Sequence, residues 1–398
     1  MAPRGGGGGR AVRRRRDGLP RTPAVSVADG GQGAERPSEQ GAPGRRRRRG
    51  AESVVVPDAE FQSYYGRQVI HTPVWEVPQV PGYLYLGGMS GAASVMGALA
   101  DATGRPALAK VGRLAASGGS IVSVVLLIDD LGVPTRFLNM LRVVKWTSPL
   151  SVGSWILMPF STGAGLAAVH ELSGVVLPLV RKVAGARIGH LAEVVLPVAG
   201  RVGGVGSAVF GPPLATYTAV LIADTAVPAW HSVYPELPFV FAASGAASAG
   251  GIGMVAAPLA EAGPARRMGA LGAVAELVLS HRMEHRIGMI GEAYRTGRAG
   301  VLLRLSRVAM AGGAAGALAS DLPVWPRTAK AQRARKVVSV VGGALLNAGA
   351  ALTRFGVYEA GMISARDPKY TVVPQRERLD ARREGREADP HLAPKTAP

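Results

Sequence analysis

From Pro81 to about residue 360 the chain repeats one kind of segment: about twenty residues dominated by Gly, Ala, Val and Leu, closed by a polar turn. This repetition limits the fold more than any other feature. A helix needs ~20 apolar residues to cross ~30 Å of hydrocarbon, and only helices or closed barrels satisfy their backbone polar groups there. Eight such segments are read, at about 81–101, 111–129, 150–170, 203–223, 238–260, 267–284, 301–319 and 337–355. Pro159 predicts a kink in the third, and Pro212-Pro213 a bent or unwound first half in the fourth. Residues 174–200 are apolar but broken by Arg181, Lys182 and Arg187, the pattern of a helix lying in the membrane interface. Gly87-x-x-x-Gly91, Gly312-x-x-x-Gly316, and Gly342-Gly343 with Ala348 allow close backbone approach, which favours helix association in lipid. The expected fold is an all-α integral membrane protein of about eight transmembrane helices.

The 46 Lys+Arg against 27 Asp+Glu coexist with a mean hydropathy of +0.18 because charge and apolarity occupy different stretches. Residues 1–50 hold 13 Arg and four acids, with RRRR at 13–16 and RRRRR at 45–49. Like charges this dense, without apolar periodicity, predict a disordered Arg/Gly-rich tail over 1–60. Such a tail suits anionic lipid, a purely solvated role, or a start assigned too far upstream. No secretory apolar core opens the chain and no apolar stretch follows the four-Arg run, so neither a cleaved signal peptide nor a twin-arginine signal is expected. Residues 366–398 form a second charged tail.

Composition removes several function classes. Zero Cys excludes disulfide scaffolds, thiol nucleophiles, zinc-thiolate sites and iron–sulfur clusters ligated by this chain. Aromatics at 5% are too sparse for nucleic-acid stacking platforms, so no nucleic acid is expected as a partner. No phosphate-cradling or dinucleotide motif is present.

An even number of spans puts both termini on one side, termed side A. Side A then receives Glu76, Gln79, Tyr83 and Tyr85 at the first segment, and Asp129, Asp130, Arg136 and Arg142 after the second. It also receives Ser154 and Trp155 at the start of the third, Asp224, Trp230 and His231 after the fourth, and Glu276, His281, Glu284 and His285 at the end of the sixth. Side B receives the more scattered Asp101, His170, Glu171, Glu261 and Asp321. Charged groups near membrane depth are costly and mark ion, proton or substrate paths, whereas acids at a helix end can simply face water. Carboxylates, Arg, Tyr and Trp at one membrane edge suit a polar headgroup on an apolar tail. A quinone fits, since its carbonyls need donors, its protons need acceptors and its tail can stay in lipid. The basic termini place side A in the cytoplasm of a multi-pass protein of the cell membrane, although the short loops divide their Lys and Arg between both sides.

Three stretches go beyond composition: Tyr85-Leu86-Gly87-Gly88, Asp130-Leu131-Gly132-Val133-Pro134-Thr135-Arg136-Phe137, and Ser148-Pro149-Leu150-Ser151-Val152-Gly153-Ser154-Trp155. In that order they resemble the NrfD-like family of polysulfide-reductase membrane subunits. TYTAVLIADTAVPAW at 216–230 and FGVYEAG at 355–361 resemble its fourth-helix ending and its last helix, so the likeness covers about 75–365. The resemblance implies two four-helix bundles with a site for menaquinone or ubiquinone in the first. It implies no haem and no iron–sulfur cluster in this chain. It also implies electron exchange with a ferredoxin-like iron–sulfur subunit that serves a molybdopterin oxidoreductase subunit.

On that reading Asp130 and Arg136 pair across the Gly-Pro turn, and Glu76, Asp130 and Asp224 are the candidate catalytic acids. Tyr83 or Tyr85 bonds a quinone carbonyl, with Gln79, Arg136, Ser154 and Trp155 as further quinone-binding candidates. The family's polar ligands on helix one are not plainly matched; Gln79 and Glu76 are the nearby candidates. His281 and His285 share a helical face but lack a third ligand, and His170 lacks a partner at its depth, so neither a metal nor a bis-His haem is expected. Two other readings remain: a transporter with Asp129, Asp224 and Glu276 as a proton or cation path, and a structural tether.

Overall fold

The computed structural model describes residues 68–133 and 135–388; the tail over 1–60 lies outside them. No strand occurs among the described residues. In order the helices are α1 (Gln79–Ala102), α2 (Pro106–Asp130), α3 (Arg136–Met140), α4 (Pro149–Glu171), α5 (Ser173–Ala184), α6 (Ala186–Ala223) and α7 (Pro228–His231). There follow α8 (Leu237–Ala256), α9 (Gly263–Arg286), α10 (Glu292–Arg295), α11 (Gly297–Asp321), α12 (Ala329–Arg366) and α13 (Lys369–Ala388), the last lying in the charged tail.

Six of these helices, α2, α4, α6, α8, α11 and α12, are long and apolar enough to cross a membrane. Helices α1 and α9 are also long, at 24 residues each. Gly and Ser dilute α1, while α9 carries Arg266, Arg267, Glu276, Arg282, Glu284 and Arg286. The side-chain distribution is that of a lipid-solvated protein. Val125, Val209, Leu271, Val278, Leu305 and Val308 face outward, while Gly, Ala and Ser fill the helix contacts. The chain is a multi-pass membrane protein.

Helix α1 packs on α2, α6 and α8; α4 packs on α6; α8 packs on α9 and α12; and α11 packs on α9 and α12. Small residues set the closest crossings. Gly91 of α1 and Gly211 of α6 lie back to back, so a Cβ on either would strike the other's backbone. At the α11–α12 seam a Cβ on Gly316 would sit 2.9 Å from Gly342 Cα. Of the glycines singled out at these two seams, Gly91, Gly316 and Gly342 carry the approach, while Gly87 makes ordinary contacts.

Two local expectations are corrected. Residues 174–200 are not one interfacial helix. Gly185, with φ +87°, breaks the chain there, so α5 folds back on the first turns of α6, where Arg181 pairs with Glu193. Nor does α6 unwind at Pro212-Pro213, for it runs 38 residues from Ala186 to Ala223. Ser94 Oγ donates to Ser207 O and Thr216 Oγ1 to Pro212 O, both at 3.0 Å, in the turns that flank the prolines.

The side-B acids are taken up by structural contacts. Arg113 pairs with Asp101 at 2.6 Å and with Glu171. Arg266 and Arg267 hold Asp321 at 3.0 and 3.1 Å. Glu261 accepts the Leu108 N–H at 3.0 Å, near the start of α2.

Candidate functional site

At side A the ends of α1, α2, α4, α6, α7 and α12 meet. Gly132, with φ +66°, turns the chain just after Asp129-Asp130. Ser148 caps α4, accepting the Ser151 N–H at 3.5 Å, and Pro149 occupies the first turn, where no N–H is needed. Ser151 Oγ accepts the Lys145 N–H at 3.0 Å and donates to Val143 O at 3.2 Å, which shapes the loop before α4.

The segment leading into α1 lies across the end of α2. The Glu76 N–H donates to Asp130 Oδ1 at 3.4 Å, and Gln79 Nε2 donates to Asp129 Oδ2 at 2.9 Å. Gln79 Oε1 is buried without a partner. Tyr83 is buried, with Asp130, Tyr217 and Tyr358 as its ionisable neighbours. The Tyr358 hydroxyl donates to Trp75 O at 2.5 Å. Trp75 stacks on Trp230 with ring centroids 5.3 Å apart, and Trp230 Nε1 donates to Val357 O at 2.8 Å. These contacts tie the entry to α1 to α7 and to the last turns of α12.

Beside this cluster a cleft of about 730 Å³ opens between the loop before α4 and the end of α6. Trp146, Pro149, Val152, Val220 and Ala223 give it apolar walls, and Thr147, Asp224, His231 and Tyr234 its polar groups. His231 Nδ1 lies 3.0 Å from Ala223 O, so that nitrogen donates and Nε2 is left to accept. Asp224 is exposed in this cleft. One residue beyond Val152, Gly153 receives the flat of the Tyr217 ring, which any side chain there would displace. Tyr217 thus links the cleft wall to the Tyr83 neighbourhood.

The arrangement brings Glu76, Gln79, Tyr83 and Asp130 together and places Asp224 on the neighbouring cleft. Tyr85 lies elsewhere, donating its hydroxyl to Asn347 Oδ1 at 2.8 Å; two residues along a helix turn a side chain to the opposite face from Tyr83. Arg136 is exposed, and no ion pair joins it to Asp130 among the described residues, since the Glu76 backbone takes that carboxylate instead. Ser154 Oγ donates back to Leu150 O at 2.9 Å, and Trp155 Nε1 is buried without an acceptor. His281 and His285 face each other with ring centroids 4.3 Å apart at the exposed end of α9. Sequence reasoning missed Trp75, Tyr217, Tyr358 and the cleft residues Trp146 and Tyr234. Tyr358 was reachable by counting, had the eighth segment been carried beyond 355.

Residues 67–281, more than half of the chain, match the family described as Polysulphide reductase, NrfD. No curated protein matches the chain.

Proposed function

Because the chain belongs to the NrfD family of polysulphide reductase proteins, we propose that it is the quinone-interacting membrane anchor of a multi-subunit oxidoreductase. It exchanges electrons between the membrane quinone pool and a ferredoxin-like iron–sulfur subunit that serves a molybdopterin oxidoreductase subunit. One observation carries this reading: carboxylates, ring hydroxyls and an imidazole gather beside a largely apolar cleft at one membrane edge. The cleft volume falls in the ~300–1,000 Å³ range of small-molecule sites. Its walls suit a flat ring, and His231 Nε2 is left to accept from a polar ligand. The residues therefore fit menaquinone or ubiquinone. When bound, the quinone supplies two-electron, two-proton redox capacity. Asp224 and His231 hold protons at the cleft edge, and Tyr83 and Asp130 form the polar wall behind Tyr217.

The eight long helices from α1 to α12 group by contact as α1, α2, α4 and α6 against α8, α9, α11 and α12, which supports eight spans in two four-helix bundles. The basic termini favour a cell-membrane protein with side A in the cytoplasm. Beyond the long helices' ends on side A, α3 and the loop before α4 expose Leu138, Val143 and Trp146, the last 83% exposed. Apolar side chains set in water there suit a soluble partner. Trp146→Ala is expected to weaken retention of that partner by about 30-fold, as removal of a central aromatic anchor does. Pull-down of the tagged variant against the parent chain checks it.

The test of the whole reading is purification of the tagged chain from its own membranes in mild detergent. Co-isolation of a ferredoxin-like subunit and a large oxidoreductase, with quinone-dependent turnover, is the expected result. A chain that emerges alone from fresh membranes in several detergents overturns it and moves transport to first place.

A further inference from the structure

A second polar cluster lies among α8, α9, α11 and α12, and the quinone reading makes no use of it. Glu276 sits ten residues before the end of α9, about 15 Å from that end along the axis, and is 2% exposed. The Thr353 hydroxyl of α12 donates to Glu276 Oε1. Ser306 Oγ of α11 lies 2.6 Å from Thr353 Oγ1. Oε2 has no partner, and neither have Ser244 Oγ of α8 and Arg354 Nη1 of α12. Arg354 is 1% exposed; it donates to Phe241 O at 2.8 Å and lies 3.6 Å over the Phe241 ring. Arg354 and Ser244 both neighbour the Glu276 carboxylate. Buried polar atoms left open around one carboxylate call for water or a ligand.

The surroundings give that site a direction. Ser280 and Glu284 follow Glu276 at four and eight residues, on the same helix face. A cavity of about 10 Å³, lined by Glu276, Ser280, Glu284, Ser306, Arg307 and Thr353, has room for about one water. At its side-A end Glu284 faces Arg295 at 3.8 Å and Arg307 at 3.7 Å. Toward side B, Met254, Ala270, Ala273, Met310 and Leu346 close the way with apolar packing.

We propose that Glu276 is a proton-binding site that loads from side A past Glu284 and Ser280 and has no outlet toward side B. A hydronium at the mouth gives its proton, through water, to the Glu276 carboxylate. One O–H bond forms, one breaks, and water is left behind. The Arg354 guanidinium beside the carboxylate disfavours a metal cation as ligand. The other ionisable groups around the site are Arg307 from α11, Tyr85 from α1 through Asn347 and Arg354, and Glu284 on α9 itself; α8 contributes none. The site stands independently of the quinone reading.

The full chain in native membranes, treated with the apolar reagent dicyclohexylcarbodiimide and mapped by peptide mass spectrometry, tests this. The reagent modifies protonated carboxyls in apolar surroundings. Modification of Glu276 is expected to fall about tenfold for each pH unit above its midpoint. After a pH jump that fall should be immediate in the parent chain and at least about tenfold slower in Ser280→Leu, which plugs the route. Glu276 left unmodified at reagent levels that label other carboxylates, labelled without pH dependence, or unaffected in its kinetics by Ser280→Leu would overturn the proposal. The first measurement needs no variant, so a misfolded Ser280→Leu leaves it decisive.

Discussion

Asp130→Asn is expected to slow quinone-linked electron transfer by about 10²-fold, the usual worth of one positioned proton-transfer group, while the chain still inserts and folds. The substitution keeps the shape and the acceptor for the Glu76 N–H but removes the charge and the proton site beside Tyr83. Asp224→Asn is expected to act in the same direction. That carboxylate opens on the cleft itself, so the amide cannot exchange a proton with a bound ring. Tyr85→Phe is the internal comparison: its hydroxyl serves Asn347 rather than the cleft, and turnover should change less than about twofold, within the range of a lost neutral hydrogen bond remote from the chemistry. Initial rates with a water-soluble quinol, measured on the isolated complex with band intensity as a fold control, read all three. Unchanged turnover in both Asp variants removes them from the mechanism.

The largest effect on stability should come from Gly91→Leu. Helices α1 and α6 cross at Gly91 and Gly211 with backbone against backbone, and no rotamer of a new side chain escapes this contact. Overpacking a tight interior costs about 3 kcal/mol when nothing can yield, and here a backbone would have to move. Gly118→Leu is the matched control, because Gly118 meets nothing within 4 Å and faces outward on α2. In lipid an added apolar side chain on that face is nearly neutral. Thermal unfolding in mild detergent, followed by Trp fluorescence, should separate them clearly. Equal melting of the two variants would mean the α1–α6 crossing is looser than described.

Much of this architecture was legible because lipid imposes a length. Every long helix from α1 to α12 coincides with one of the apolar segments, although α8 ends at Ala256, four residues short of the segment read at 238–260, and polar residues of side A meet at the entry to α1 and the end of α2. The misses have physical causes. In a chain with 54 Gly, nothing marks Gly185 as one of those that take a positive φ, so the α5–α6 turn read as part of a single helix. The prolines of α6 read as breakers because the helices packed along it, α1 and α4, are not visible in its own sequence. Asp130 and Arg136 read as a pair because sequence shows charges but not which backbone N–H arrives first. Tyr83 and Tyr85 read as equivalent because spacing was weighed less than identity, though a separation of two puts them on opposite helix faces.

The continuity of α6 has a mechanical consequence. A 38-residue helix is about 57 Å long, roughly twice the thickness of the hydrocarbon layer. One end lines the cleft with Val220 and Ala223; the other carries α5, pinned by Arg181 and Glu193, well past the level where α4 ends. Pro197, Pro212 and Pro213 lie along it, and each removes a backbone hydrogen bond and makes a place where the helix can bend. A ligand that wedges Val220 aside would therefore reach the α5 turn through a jointed arm, with the joints at those prolines.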